Sequence, residues 1–162
     1  MHPVVMLQLL VLLSVANGAP LIAKKLFGDM LTQPIDGGRR FVDRRPLLGA
    51  SKTLRGVVAS VATTTIVAPL IGLSWSIGAL VGVTAMAGDL FSSFCKRRLN
   101  RPPSSQATGL DQIPEALFPL LACLPVFGLT LADIVVGVVV FFVGEVVLSR
   151  VFYRLGLRDD PY

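Results

Sequence analysis

Five apolar stretches divide the chain, at residues 3–23, 57–74, 75–95, 116–129 and 131–153. A helix crossing a hydrocarbon core of about 30 Å takes roughly 20 such residues. The pattern therefore predicts an all-α, polytopic membrane protein of five transmembrane helices, forming a single domain over residues 1–162. The fourth stretch is short and carries Pro119 and Pro125, so it is expected to be kinked or only partly spanning. Asn17, Gly18 and Pro20 are placed to break the first helix toward its C-terminal end. No internal repeat or low-complexity tract interrupts the pattern.

Composition narrows the class. Of 162 residues, 53% are hydrophobic and 15% are charged, and the mean hydropathy is +0.72. A soluble domain carries about 25% charged residues, and a disordered chain has far less apolar area. Cys95 and Cys123 both lie inside apolar runs, which excludes a disulfide-stapled fold.

The basic residues set an orientation. Lys24, Lys25, Arg39, Arg40, Arg44, Arg45, Lys52 and Arg55 lie between the first two spans. Lys96, Arg97, Arg98 and Arg101 follow the third, and Arg150, Arg154 and Arg158 end the chain. With five spans these groups share one side, and the opposite turns carry no Lys or Arg. The positive-inside rule then puts the N-terminus outside, and loops 24–56 and 96–115 and the C-terminus in the cytoplasm. A multi-pass protein of the cell (inner) membrane is expected. A cleaved signal peptide over the first span is disfavoured, because no basic residue precedes its apolar core and the positive charge follows it.

The third span holds the most informative pattern. At helical spacing Gly78, Gly82, Ala85, Asp89, Ser92, Ser93 and Lys96 form one stripe. Small residues in its upper half permit close helix packing. The lower half offers an acid, hydroxyls and a lysine, with Asp89 about 10 Å from Lys96 along the axis at 1.5 Å per residue. An ionisable group at that depth is costly unless paired, hydrated or bound to a cation. Two readings stay open: a structural salt bridge to another helix, or a functional acid in a polar cavity open to the cytoplasm.

The loop before the second span, from Gln33 to Gly56, combines glycines with Lys52, Thr53 and Arg55 ahead of a helix start. Exposed backbone N–H groups, fixed cations and a helix N-terminus suit an anion. A basic loop resting on anionic lipid is the alternative. The Gly49…Lys52-Thr53 run superficially resembles a P-loop, but its spacing is wrong and no strand precedes it. Asp111 follows a Pro/Ser-rich segment and stands just before the fourth span, as a helix cap or, if the loop folds back, as a partner for Asp89. Two carboxylates converging among cations suggest a Mg²⁺ site for a polyphosphate.

Glu145 is buried at a depth similar to Asp89, so it lines the same cavity or pairs with a basic residue. Asp133 is expected to be exposed near the outer interface, and His2 is assigned no role. No Ser/His/Asp, Cys/His or zinc-ligand constellation is present, and no aromatic-interleaved basic patch suggests nucleic acid.

Several motifs together carry a family resemblance. They are Asn17-Gly18-Ala19-Pro20, Pro34-Ile35-Asp36-Gly37-Gly38, and Gly49-x-x-Lys52-Thr53-x-Arg55-Gly56. Gly88-Asp89-x-x-x-Ser93-Phe94-x-Lys96-Arg97-Arg98 and Leu110-Asp111-Gln112 complete the set. In this order the chain resembles the CDP-archaeol synthase family, which is similar to the membrane CTP:phosphatidate cytidylyltransferases that include CDP-diacylglycerol synthase. The resemblance implies a Mg²⁺-dependent enzyme that moves CMP from CTP to a membrane lipid phosphate and releases pyrophosphate. It implies catalytic roles for Asp89, Lys96 and Asp111, with Asp89 and Asp111 as metal ligands. Lys52, Thr53, Arg55, Ser93 and Arg97 are implied to bind substrate. The segment from Arg101 to Thr108 and the Ile113-Pro114-Glu115 continuation depart from the archaeal pattern and read more like bacterial relatives. The lipid is thus open between isoprenoid ether and diacyl chains. A non-enzymatic membrane scaffold and a small solute carrier are the competing classes; a carrier would more naturally show broken helices in paired halves.

Overall fold

The computed structural model describes residues 2–28, 30–102 and 107–154, with side chains as far as residue 151. Arg158 and most of the Pro/Ser-rich segment, residues 103–106, lie outside the described residues. Five helices follow in order: α1 (Pro3–Phe27), α2 (Leu54–Leu70), α3 (Trp75–Arg98), α4 (Gln112–Phe127) and α5 (Leu131–Arg154). Three are long and apolar enough to cross a membrane: α1, α3 and the Leu131–Val151 part of α5. The other two, α2 and α4, are apolar but only 17 and 16 residues long. At 1.5 Å per residue they rise about 25 Å.

The central helix is α3, which packs most extensively on α4 and α2; α5 lies outside, against α4 and α1. Leu9, Leu12, Leu13 and Ala16 of α1 share the core with Ala68, Val81, Ala85, Ala116, Leu120 and Cys123. The outward positions are apolar as well, among them Val58, Ile66, Val83, Val135, Val139, Val143 and Val147. Water would not suit such a surface; hydrocarbon does.

Gly78 and Gly82 explain how close α2 and α3 come. A Cβ on Gly78 would lie 2.5 Å from the Thr64 carbonyl oxygen and 2.8 Å from Thr65 Cα, and one on Gly82 would collide with Thr64 Oγ1. The small-residue stripe of α3 is therefore the α2 contact. Thr64 tolerates this burial because its hydroxyl donates to the Ser60 carbonyl at 2.9 Å.

Three expectations need correction. First, α1 is unbroken through Asn17 and Pro20. Pro20 instead packs on the start of α2, where a Cβ on Gly56 would sit 3.3 Å from Pro20 Cβ. Second, α4 begins at Gln112, a turn earlier than expected, and continues through Pro119 and Pro125. Third, Asp133 is buried, at 1% exposure. Its Oδ2 accepts from Thr130 N (2.9 Å) and Thr130 Oγ1 (2.7 Å), while Thr130 Oγ1 accepts from Asp133 N at 3.2 Å. This reciprocal pair caps α5 in the manner of a capping box. His2 joins it, its backbone N–H donating to Asp133 Oδ1 at 3.2 Å. The cap thus places the start of α1 beside the start of α5, and Gln8 Nε2 donates to the Ile71 carbonyl at the end of α2 (2.6 Å).

At the other end, the α1–α2 connection is an ordered loop built on Asp36. Its Oδ1 accepts from Gly38 N (2.9 Å), and its Oδ2 from Leu48 N (2.9 Å) and Gly49 N (3.2 Å). Gly37 and Gly38 take φ of +59° and +74°, which glycine adopts without strain. Ile35 N donates to the Lys52 carbonyl at 2.8 Å, closing the loop neck. The loop docks on the end of α3 through Arg98, which reaches Asp43 Oδ1 (2.8 Å) and the Pro46 carbonyl (2.6 Å). Its guanidinium also stacks within 4.8 Å of the Phe41 ring and 4.9 Å of Phe94. Burial pushes the Asp36 carboxyl up, but the backbone N–H groups of Leu48, Gly38 and Gly49 outweigh it and hold it below 3.8.

Gly78→Ala should lower the thermal midpoint in detergent, with a cost of about 1–3 kcal/mol for overpacking a helix contact. Gly18→Ala, where a Cβ meets nothing within 4 Å, should leave the midpoint unchanged or raise it. Because the folded Asp36 carboxyl titrates below its ordinary value, its stabilisation is complete above 3.8 and is lost as pH falls through the lower folded value. Hydrogen exchange at Leu48 and Gly49, corrected for intrinsic rates, should show protection at neutral pH that disappears in strong acid. Asp36→Ala should remove that protection at every pH.

Candidate active site

The last turns of α3 assemble the chemistry. A Cβ on Gly88 would collide with the carbonyl of Pro114 and stand 2.8 Å from Glu115 N, so here the first turn of α4 rests on bare α3 backbone. That contact brings Asp111 and Glu115 toward Asp89. Lys52, held by the loop neck, places its Nζ at 2.6 and 2.7 Å from the two oxygens of Asp89. Lys96 places its Nζ 2.7 Å from Asp111 Oδ1. Two carboxylate–lysine pairs therefore lie together, with the side chains of Lys52 and Asp89 about a fifth exposed, at 23% and 21%.

Asp89 is thus salt-bridged, but to a lysine in the loop before α2, and Lys96 serves Asp111. Asp111 stands at the N-cap position of α4 without bonding a helical N–H through its side chain. Its Oδ2 accepts from Ala107 N (3.1 Å), so it closes the turn leading into the helix.

Ser93 and Arg97 lie one turn apart on α3 and are buried, at 2% and 3% exposure. Ser93 Oγ and Arg97 Nε and Nη1 have no hydrogen-bond partner among the described residues. Arg97 is within electrostatic reach of Asp111. A buried hydroxyl and guanidinium with open donors suit an anionic ligand. Thr53 and Arg55 already have structural work. Thr53 caps α2, its Oγ1 accepting from Gly56 N at 3.3 Å. Arg55 Nη1 donates to the carbonyls of Gly28 (2.6 Å) and Met30 (2.7 Å), tying the end of α1 to α2.

One acid escaped the sequence reading. Glu115 is buried and lies within electrostatic reach of Asp89, Glu145, Lys52 and Asp111. Its position one helical turn after Asp111 was the available signal, since residues four apart share a helix face. Glu145 of α5 is half-buried beside this group.

The donor set bears on magnesium. Among the described residues no three His, Cys, Asp or Glu side chains are preassembled around a metal position. Mg²⁺ bound with a polyphosphate needs only one or two carboxylates, the remaining ligands being phosphate oxygens and water. Asp89 and Asp111 fit that requirement.

The CarS-like CDP-archaeol synthase family model matches residues 4–162. The CDP-archaeol synthase of Sulfurisphaera tokodaii is 33% identical over 154 residues, covering 91% of this chain and 89% of that protein. Those of Pyrobaculum islandicum and Pyrococcus furiosus are 31% and 33% identical, over 91% and 77% of this chain and 92% and 77% of theirs. These relatives are archaeal, and they lend no support to the bacterial kinship suggested by the segment before α4. A solved structure of an intramembrane enzyme for archaeal membrane lipid biosynthesis superposes with a TM-score of 0.77 at 26% identity, covering 87% of this chain and 90% of that one. A multi-pass membrane bundle with this match along nearly its whole length belongs to the CDP-archaeol synthase family, cytidylyltransferases of membrane lipid synthesis.

Proposed function

We propose that the chain transfers CMP from CTP to a membrane lipid phosphate, at a site open to the cytoplasm. The observation that carries this reading is the meeting of two carboxylate–lysine pairs with the buried donors of Ser93 and Arg97, which have no partner among the described residues. An oxygen of the lipid phosphate attacks the α-phosphorus of CTP. A P–O bond forms there, the bond to the bridging oxygen of the β-phosphate breaks, and pyrophosphate leaves with that oxygen. Both reactants are anions, so positioned cations must bring them together and stabilise the departing charge. Lys52 and Lys96 supply mobile ammonium groups, and Arg97 with Ser93 a fixed cradle for a phosphate. Arg55, expected to contact phosphate, acts in this reading mainly by holding the loop that presents Lys52. Asp89 and Asp111 would hold Mg²⁺, which when bound neutralises phosphate charge and polarises the phosphoryl group. No protein nucleophile is required.

Orientation follows from charge. The Lys- and Arg-bearing connections lie at the end of the bundle where Lys52, Asp89 and Asp111 meet, and the positive-inside rule makes that end cytoplasmic. CTP then arrives from the cytoplasm and the lipid from between the helices. An isoprenoid ether lipid phosphate is favoured by the archaeal relatives, and a diacyl phosphate is the second substrate to assay.

Cysteines replacing Arg44 and Arg101 in a cysteine-free background should react with impermeant reagents only after the membrane is opened. Cysteines replacing Ser74 and Thr130 should react from outside; the reverse pattern overturns the orientation. Asp89→Asn and Asp111→Asn should each lower CMP transfer from labelled CTP by at least ~100-fold, the loss typical of removing one charge-stabilising group. Their thermal midpoints in detergent should stay near the parent value. Near-parental turnover in either folded variant would remove that acid from the site. Arg97→Gln should raise the KM for CTP or for the lipid phosphate about tenfold or more, since a charge-assisted phosphate contact is worth about 1.5–3 kcal/mol. Unchanged kinetics would return Arg97 to a purely structural role.

A further inference from the structure

We propose that Lys52 exchanges carboxylates, pairing with Asp89 as in this structure and with Glu115 when a divalent cation occupies Asp89. This rests on the reading of Asp89 as a cation ligand. Both Asp89 oxygens are engaged by the single Lys52 Nζ, at 2.6 and 2.7 Å. A divalent cation on those oxygens would stand within a few ångströms of that ammonium, and like charges at such separation repel strongly in a site shielded from water. Binding a cation at Asp89 therefore favours moving Lys52 away, and a displaced ammonium in a mostly buried position needs a new anion.

Glu115 meets each requirement for that anion. It is 7% exposed, and its carboxylate has no hydrogen bond or ion pair among the described residues. The charge of Lys52 reaches it, while Asp89, Asp111 and Glu145 surround it with like charge. A carboxylate in that position is costly unless a cation arrives. Gly88 fixes the geometry, since bare backbone there lets Glu115 stand against α3 next to Asp89. The exchange leaves two ammonium protons of Lys52 for phosphate, so it turns toward the nucleotide as Asp89 is released. Glu115 is accordingly a positioning residue, acting through Lys52.

The test is Mn²⁺ binding to the detergent-purified protein, read from the free-ion electron paramagnetic resonance signal, with and without CTP. The parent protein should bind Mn²⁺, and Asp89→Asn should weaken that binding. Lys52→Gln, which removes the competitor, should tighten it severalfold. Glu115→Gln should weaken it about tenfold when Lys52 is present and change it little in the Lys52→Gln background, a coupling in the range found for side chains in contact. Equal losses in both backgrounds would make Glu115 a direct ligand or a simple contributor to the field, and would overturn the exchange. A shift in thermal midpoint with unchanged Mn²⁺ affinity would make it structural and overturn it too. Glu115→Asp, which keeps the charge one methylene short, reports the same coupling if Glu115→Gln does not fold. No Asp89-dependent Mn²⁺ binding in the parent would defeat the cation reading itself, an outcome distinct from additive effects at Lys52 and Glu115.

Discussion

The arrangement depends on the cost of placing acids near the end of an apolar bundle. Asp89 and Asp111 sit where an unpaired carboxylate would be strongly disfavoured, and each is held by a lysine, at 2.6 and 2.7 Å. Those pairs require that the loop before α2 be ordered and that α3 and α4 touch at their ends. The first condition is met by Asp36, which gathers three backbone N–H groups, and by Arg98, which anchors the loop to α3. The second is met by Gly88. Asp36, Arg98 and Gly88 thus bring four charged side chains together.

The same arrangement explains why the structural and functional readings of Asp89 need not compete. The salt bridge to Lys52 compensates the Asp89 carboxylate at the end of an apolar bundle. In the proposed reaction the ammonium groups of Lys52, on its loop, and Lys96, on α3, would turn to phosphate. Ser93 and Arg97 differ in having buried donors already open, as a preformed anion cradle requires. Glu115, within electrostatic reach of Lys52, is the second seat that the proposed exchange requires.

Much of this was legible in the sequence because charge and hydropathy act locally. The apolar stretches gave five helices, and the Gly78–Gly82 stripe marked a close helix contact. The motif residues Lys52, Asp89, Lys96 and Asp111 were found together in space, though the pairing within them was not foreseen. What the sequence hid depends on contacts between distant segments. Asp133 looked like a surface acid, and it is buried because the starts of α1 and α5 meet around Thr130. Asn17 and Pro20 looked like a break, yet α1 runs through them, and Pro20 packs against Gly56 at the start of α2. Arg55 was read as a phosphate ligand from its place three residues after Lys52, and the contacts of its Nη1 with the Gly28 and Met30 carbonyls, which tie α1 to α2, were not legible.

The central claim, that Asp89 and Asp111 converge on a cation-bound polyphosphate flanked by Lys52, Lys96 and Arg97, is tested most directly by locating the ion. Crystals grown in lipid with CTP and Mn²⁺ would be examined by anomalous diffraction at the manganese edge. The account predicts a peak in direct coordination with Asp89 and Asp111, the CTP phosphates beside it, and the Lys52–Asp89 pair opened. Nucleotide phosphates bound elsewhere, or a bound nucleotide with both carboxylate–lysine pairs still closed and no ion between them, would contradict it.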